Sequence, residues 1–135
     1  MRKFRKIQHN LQNVINNEIE KLLENTEFNS EGINGFIADV ERGRARFSTL
    51  QFTVPLWVYN KNAPFLFMKE EGYFTYYVAH ELSHVLSYKK YNLNGKGHGE
   101  NFYKIFKIVC PKEYQHFELH YKPSSKKYGI NKKIN

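Results

Sequence analysis

The run from Glu70 to Lys90 constrains the fold of this chain more than any other segment. It contains no proline and opens on two acids, which suit the positive end of a helix. Val78, Leu82, Val85 and Leu86 then recur at helical spacing. The pattern predicts a helix over about residues 70–89. Within it lies His80-Glu81-Leu82-Ser83-His84. At this spacing both imidazoles project from the same helix face, one turn apart. Two neutral imidazoles so placed can hold one metal ion, and the adjacent carboxylate can take a proton from water activated there. The plainer alternative is a buried helix whose two histidines are solvated or hydrogen-bonded.

A catalytic zinc site usually takes three protein ligands and keeps one position open. The downstream candidates are His98, Glu100, Glu113, His116, Glu118 and His120. His98 is favoured because it lies in Asn94-Gly95-Lys96-Gly97-His98-Gly99, where glycines permit tight or left-handed backbone. Phe102, Ile105, Phe106 and Val109 follow at helical spacing. His98 is therefore expected in a loop at the mouth of a helix, turned back towards the first histidine pair; the alternative is a surface loop histidine. His116 and His120 share the helical spacing, but no glutamate follows His116, and a partly exposed helix or strand edge is expected there. Ser87 and Lys90 stand where a metzincin needs glycine and histidine. The single cysteine, Cys110, lies downstream, whereas a peptide deformylase needs one upstream.

His80-Glu81-Leu82-Ser83-His84 followed by His98-Gly99-Glu100-Asn101-Phe102 resembles the SprT-like zinc metallopeptidase domain, which pairs H-E-L-x-H with a later H-G-x-x-F/W. Gly43-Arg44-Ala45-Arg46 and Leu50-Gln51-Phe52-Thr53-Val54 resemble the turn and strand that precede the family's catalytic helix. The resemblance covers about residues 34–110. It implies a zincin-like α+β fold, Zn2+ as cofactor, His80, His84 and His98 as ligands, and Glu81 as general base. It further implies a protein or peptide substrate, with DNA-associated proteins as one class. YgjP-like and WLM-type metallopeptidases share much of the pattern. A C-terminal zinc ribbon, common in larger members, needs paired cysteines that this chain lacks.

The chain has 135 residues and a net charge of +8. Four of its basic residues fall in residues 1–6 and five in residues 122–135, where there are no acids; the remainder holds 12 basic and 13 acidic residues. The basic ends suit either a polyanion such as DNA or solvated tails. Arg42, Arg44 and Arg46 alternate, so in a strand they would share one face and could follow phosphates. The alternative is an exposed strand face paired with Asp39 and Glu41 across a hairpin. No apolar run approaches membrane-spanning length, and no apolar stretch follows the basic N-terminus. With one cysteine, no internal disulfide can form; Cys110 is expected as a small buried hydrophobe, and the compartment is expected to be cytoplasmic.

Ile7, Leu11, Val14, Ile15, Ile19, Leu22 and Leu23 predict an amphipathic first helix over about residues 6–25. Strands are expected at 33–41, 44–48 and 51–59, forming a small antiparallel sheet. Pro55 should make the last one an edge strand or end it early. The strand at 51–59 is the candidate to lie near a substrate cleft. A helix at 100–109 and a short one at 112–120 complete a single domain, 1–121, followed by a basic tail, 122–135. The expectation is a zinc metalloendopeptidase. Two rivals stand beside it: a nucleic-acid-associated binding protein with a structural or vestigial zinc site, and a zinc amidohydrolase acting on a small amide. Tyr73, Tyr76, Tyr77, Tyr88 and Tyr91 are candidate oxyanion donors that spacing cannot separate from packing residues.

Overall fold

In a computed structural model the described residues are 6–63 and 65–120. The basic ends fall almost wholly outside them, as does the 122–135 tail. Strand β1 (Lys6–Ile7) leads through a short 3-10 turn into helix α1 (Gln12–Leu23). Strands β2 (Asn34–Asp39), β3 (Arg44–Arg46) and β4 (Gln51–Pro55) follow, then the single turn α2 (Leu56–Tyr59). The long helix α3 (Tyr73–Tyr91) and helix α4 (Glu100–Val109) come next, and a 3-10 segment, Lys112–His120, ends the described chain.

The architecture is α+β, with one four-stranded sheet in the order β1-β2-β4-β3. The sheet is mixed and not purely antiparallel, because β2 pairs parallel to β4 while β1 and β3 pair antiparallel to their neighbours. The cause is local. β3 turns back through Phe47–Thr49 and left-handed Leu50 to pair with β4, and β4 then inserts beside β2. No β2–β3 hairpin forms. β4 is therefore an inner strand, and β1 and β3 are the edges among the described strands. Pro55 is tolerated because it is the last residue of β4, opposite Ala38, and the chain enters α2 immediately after it.

Helix α1 starts later than its apolar spacing suggests. Ile7 belongs to β1, paired with Ala38, and left-handed Asn25 lies just beyond the other end. Ile15, Ile19, Leu22 and Leu23 form its buried face. Helix α3 begins at Tyr73, two residues after the acid pair, because Gly72 takes a left-handed conformation with φ 94° as its N-cap. A side chain at residue 72 would also strike the ring of Tyr114. From Val78 to Ser87 every residue of α3 is buried. Such a helix needs neighbours on all sides, and α3 has α1, α4, β3, β4 and the 3-10 segment around it. Thr75 Oγ1 donates to Glu18 Oε2 at 2.6 Å, tying α3 to α1. Tyr77 Oη accepts the Gly43 N–H at 2.9 Å, tying α3 to the start of the edge strand. Among the described residues no helix is long and apolar enough to cross a membrane.

Candidate metal centre

His80, Glu81 and His84 face inward from the middle of α3 and are 3%, 7% and 9% exposed. Buried imidazoles and a buried carboxylate are costly without partners, so their surroundings decide their chemistry. The third histidine arrives from the glycine-rich loop. Gly97, with φ 81° and open space around its Cα, allows the turn, and His98 follows just before α4. Lys96 lies over the rings of Phe47 and Tyr88, at 5.5 and 5.9 Å from their centroids, which holds the loop against the turn after β3 and against α3.

His98 Nε2 lies 3.0 Å from His80 Nε2 and 3.0 Å from His84 Nε2. The three histidines can each offer a ligand atom within 4.8 Å of the others. Zinc–nitrogen bonds of about 2.0 Å at tetrahedral angles place their nitrogens about 3.3 Å apart. The convergence thus has the dimensions of a metal site. The donor chemistry agrees. One proton can bridge one pair of ring nitrogens, and three nitrogens turned towards one point are satisfied together by a cation. His84 Nδ1 is buried and has no hydrogen-bond partner among the described residues.

Protonation fits as well. Burial, followed by the charge of His80, pushes His84 well below the ordinary histidine value. The same causes lower His98 to about 4, against a smaller opposing push from Glu118. Both are neutral at physiological pH, as metal ligation requires. Burial opposes charge on His80 most strongly, but the charge and hydrogen bond of Glu118 and the charge of Glu81 together raise it. Burial raises Glu81 to about 7, with His80 pulling down and Glu118 pushing up. A carboxylate poised near neutrality beside three imidazoles suits proton transfer at the physiological range.

Phe102, in the first turn of α4, packs against all three imidazoles. Its ring stacks on His84 with centroids 4.4 Å apart and meets His98 and His80 at 5.0 and 5.2 Å. The apolar residue expected as helix core therefore also braces the ligand set.

Glu118 is the part of the site that sequence reasoning placed differently. It was one of six candidates for the third ligand, and it stands behind His80 instead. It is fully buried, with Oε1 2.8 Å from His80 Nδ1. Tyr76 donates to the same oxygen at 2.6 Å, and Tyr103 donates to Oε2 at 3.0 Å. The only sequence signal was an acid between Phe117 and Leu119, which spacing could not connect to position 80. Glu100, Glu113 and His116 are exposed, and the side chain of His120 lies outside the described set. Of the five candidate tyrosines, Tyr76 is committed to Glu118, Tyr77 accepts from Gly43, and Tyr88 stacks on Phe47 at 5.0 Å.

The arginines lie elsewhere. Arg44 and Arg46 stand opposite Thr53 and Gln51 on the sheet face that points away from buried Phe52 and Val54. With Phe36 and Val40 they line a shallow cavity there. Arg42 lies in a bend before β3, so the three do not form one strand face. Among the described residues they make no ion pair with Asp39 or Glu41. The expected hairpin pairing fails because β4 separates β2 from β3.

No family model matches the chain, and neither a curated protein nor a solved structure matches it.

Proposed function

We propose that the protein is a zinc-dependent metalloendopeptidase of the SprT-like kind, with His80, His84 and His98 as ligands and Glu81 as general base. The observation that carries this reading is the meeting of three imidazole nitrogens beside a buried carboxylate raised to about 7. A zinc ion held there supplies Lewis-acid polarisation of water and of the scissile carbonyl. Glu81 accepts the proton of the attacking water and returns it to the leaving amine. With the side chain only 7% exposed, that proton is kept from bulk solvent between the two transfers.

The edge strand β3 supports a peptide as substrate. Among the described residues β3 pairs with β4 on one side only, and the residue before it, Gly43, is tied to α3 by Tyr77. An extended peptide adding to this edge gains main-chain hydrogen bonds with little demand on its sequence. The strand expected at 51–59 near a cleft is the inner strand β4, which ends at Pro55, so the edge role passes to β3.

The test is a pair of proteins, wild type and Glu81→Gln, assayed for zinc content and for cleavage of unfolded polypeptide substrates. The expected result is about one zinc per chain in both, and turnover lower by roughly 100-fold or more in the variant. Equal cleavage by the two proteins refutes the assigned base. Wild type without metal after supply of zinc refutes the metal centre.

A further inference from the structure

Glu118 has no counterpart in the motif that points to the site, yet it is the most completely enclosed acid among the described residues, at 0% exposure. An ionised carboxylate in that position is stable only if its oxygens are fully hydrogen-bonded or paired with a cation. Both oxygens are occupied. Oε1 receives Tyr76 Oη at 2.6 Å and lies 2.8 Å from His80 Nδ1; Oε2 receives Tyr103 Oη at 3.0 Å. These partners come from α3 and α4, and Glu118 itself from the 3-10 segment Lys112–His120. Phe117, also buried, packs edge-on against Tyr73 at 5.2 Å and seats that segment beside α3.

We infer that Glu118 is the positioning residue of the metal centre: it holds the His80 proton on Nδ1, so that Nε2 faces His84 and His98 as a lone pair. This rests on the metal-site reading of the three histidines. The two tyrosines give the carboxylate one orientation, and the carboxylate gives the imidazole one tautomer and one ring rotation. A carboxylate that orients a ligating imidazole in this way typically contributes 10- to 100-fold to metal affinity. The C-terminal 3-10 segment is thereby part of the site, although its sequence carries no ligand. A purely structural Glu118 would join the segment to the core through the tyrosines and leave His80 indifferent to it.

The experiment compares wild type, Glu118→Gln and Tyr103→Phe. Zinc affinity is measured by competition with a chromophoric chelator, the cobalt-substituted proteins by visible absorption, and the imidazole nitrogens of zinc-loaded wild type by 15N NMR. Glu118→Gln keeps the shape and removes the charge, and zinc binding should weaken about 10- to 100-fold with an altered cobalt spectrum. Tyr103→Phe keeps the charge and removes one of the two tyrosine hydrogen bonds that orient it, so zinc binding should weaken, by less than in Glu118→Gln. In wild type, His80 should coordinate through Nε2 and carry its proton on Nδ1. Wild-type zinc affinity in a folded Glu118→Gln overturns the inference and leaves the metal site standing. So does a His80 that coordinates through Nδ1, which is read on wild type even if Glu118→Gln does not fold. Wild type that binds neither metal overturns the metal-site reading itself, and this inference with it.

Discussion

Replacing Phe102 by leucine separates the two roles of that side chain. It is 1% exposed and contributes to the core between α3 and α4. Its ring also lies on His84 at 4.4 Å with an interplanar angle of 30°, and closes on His98 and His80. Leucine retains most of the apolar volume, and such exchanges in a core usually cost less than about 1.5 kcal/mol. Loss of the ring contact adds about 0.5–1.5 kcal/mol. The expected destabilisation is therefore about 1–3 kcal/mol, a fall in melting temperature of roughly 4–12 °C for a domain of this size. The effect on metal binding has a different origin. The ring contacts exist before metal binds, so their value to affinity is preorganisation. Without the ring, His84 and His98 regain rotamer freedom that binding must remove, at about 0.5–1.5 kcal/mol for each side chain. Zinc affinity should fall by roughly 5- to 150-fold. Differential scanning fluorimetry of the zinc-free protein and chelator competition read the two quantities separately. A variant that melts earlier yet binds zinc within twofold of wild type refutes the bracing argument and leaves Phe102 as core alone.

Gly97→Ala places a side chain at φ 81°, where nothing lies within 4 Å of its Cβ, so left-handed strain of about 1–2 kcal/mol acts without a clash. Because Gly97 holds this conformation without metal, the zinc-free protein should lose about 1–2 kcal/mol in urea denaturation; unchanged stability shows that the loop takes another backbone route. Tyr77→Phe leaves the Gly43 N–H without its 2.9 Å acceptor and should cost about 1–2 kcal/mol in urea denaturation, with amide exchange at Gly43 accelerated; protection equal to wild type refutes the tie between α3 and β3. Alkaline stability follows from two buried acids. Burial, with Glu118 second, raises Cys110 well above its usual value near 9 and Tyr73 from 10.0 to about 12. Above about pH 9 the unfolded chain releases the Cys110 proton and the folded chain keeps it, so stability present below that pH is lost as pH rises. Cys110→Ala should flatten the first part of this limb in denaturation curves from pH 8 to 10.5; equal slopes refute the assignment to Cys110.

The site was legible in the sequence to the extent that it is local. His80 and His84 share a face by helical geometry, and glycines at 97 and 99 mark a loop that can turn His98 towards them. Helix α4 follows its apolar spacing residue for residue, over Glu100–Val109, because its outer face is polar enough to leave a clear period. Helix α3 shows the opposite case. Buried on all sides from Val78 to Ser87, it has little amphipathic signal, and its start is set by Gly72 and Tyr114, which are distant in sequence. Strand order is non-local in the same sense. Nothing in Gly35–Ile37 or Phe52–Val54 says that these runs pair parallel, because that outcome depends on β3 taking the far side of β4.

The same distinction explains why Glu118 escaped a reading based on spacing. A ligand pair on one helix is encoded by a fixed interval, whereas an orienting carboxylate needs only to arrive, from any segment, within hydrogen-bond distance of one ring nitrogen. Here it arrives 38 residues after His80. What ties it to the motif is burial: an acid at 0% exposure must have partners, and those partners are His80 and the two tyrosines. The candidate metal centre is therefore a product of three segments, α3, the loop into α4, and the C-terminal 3-10 turn. Loss of any one should loosen the other two through the rings and hydrogen bonds that join them.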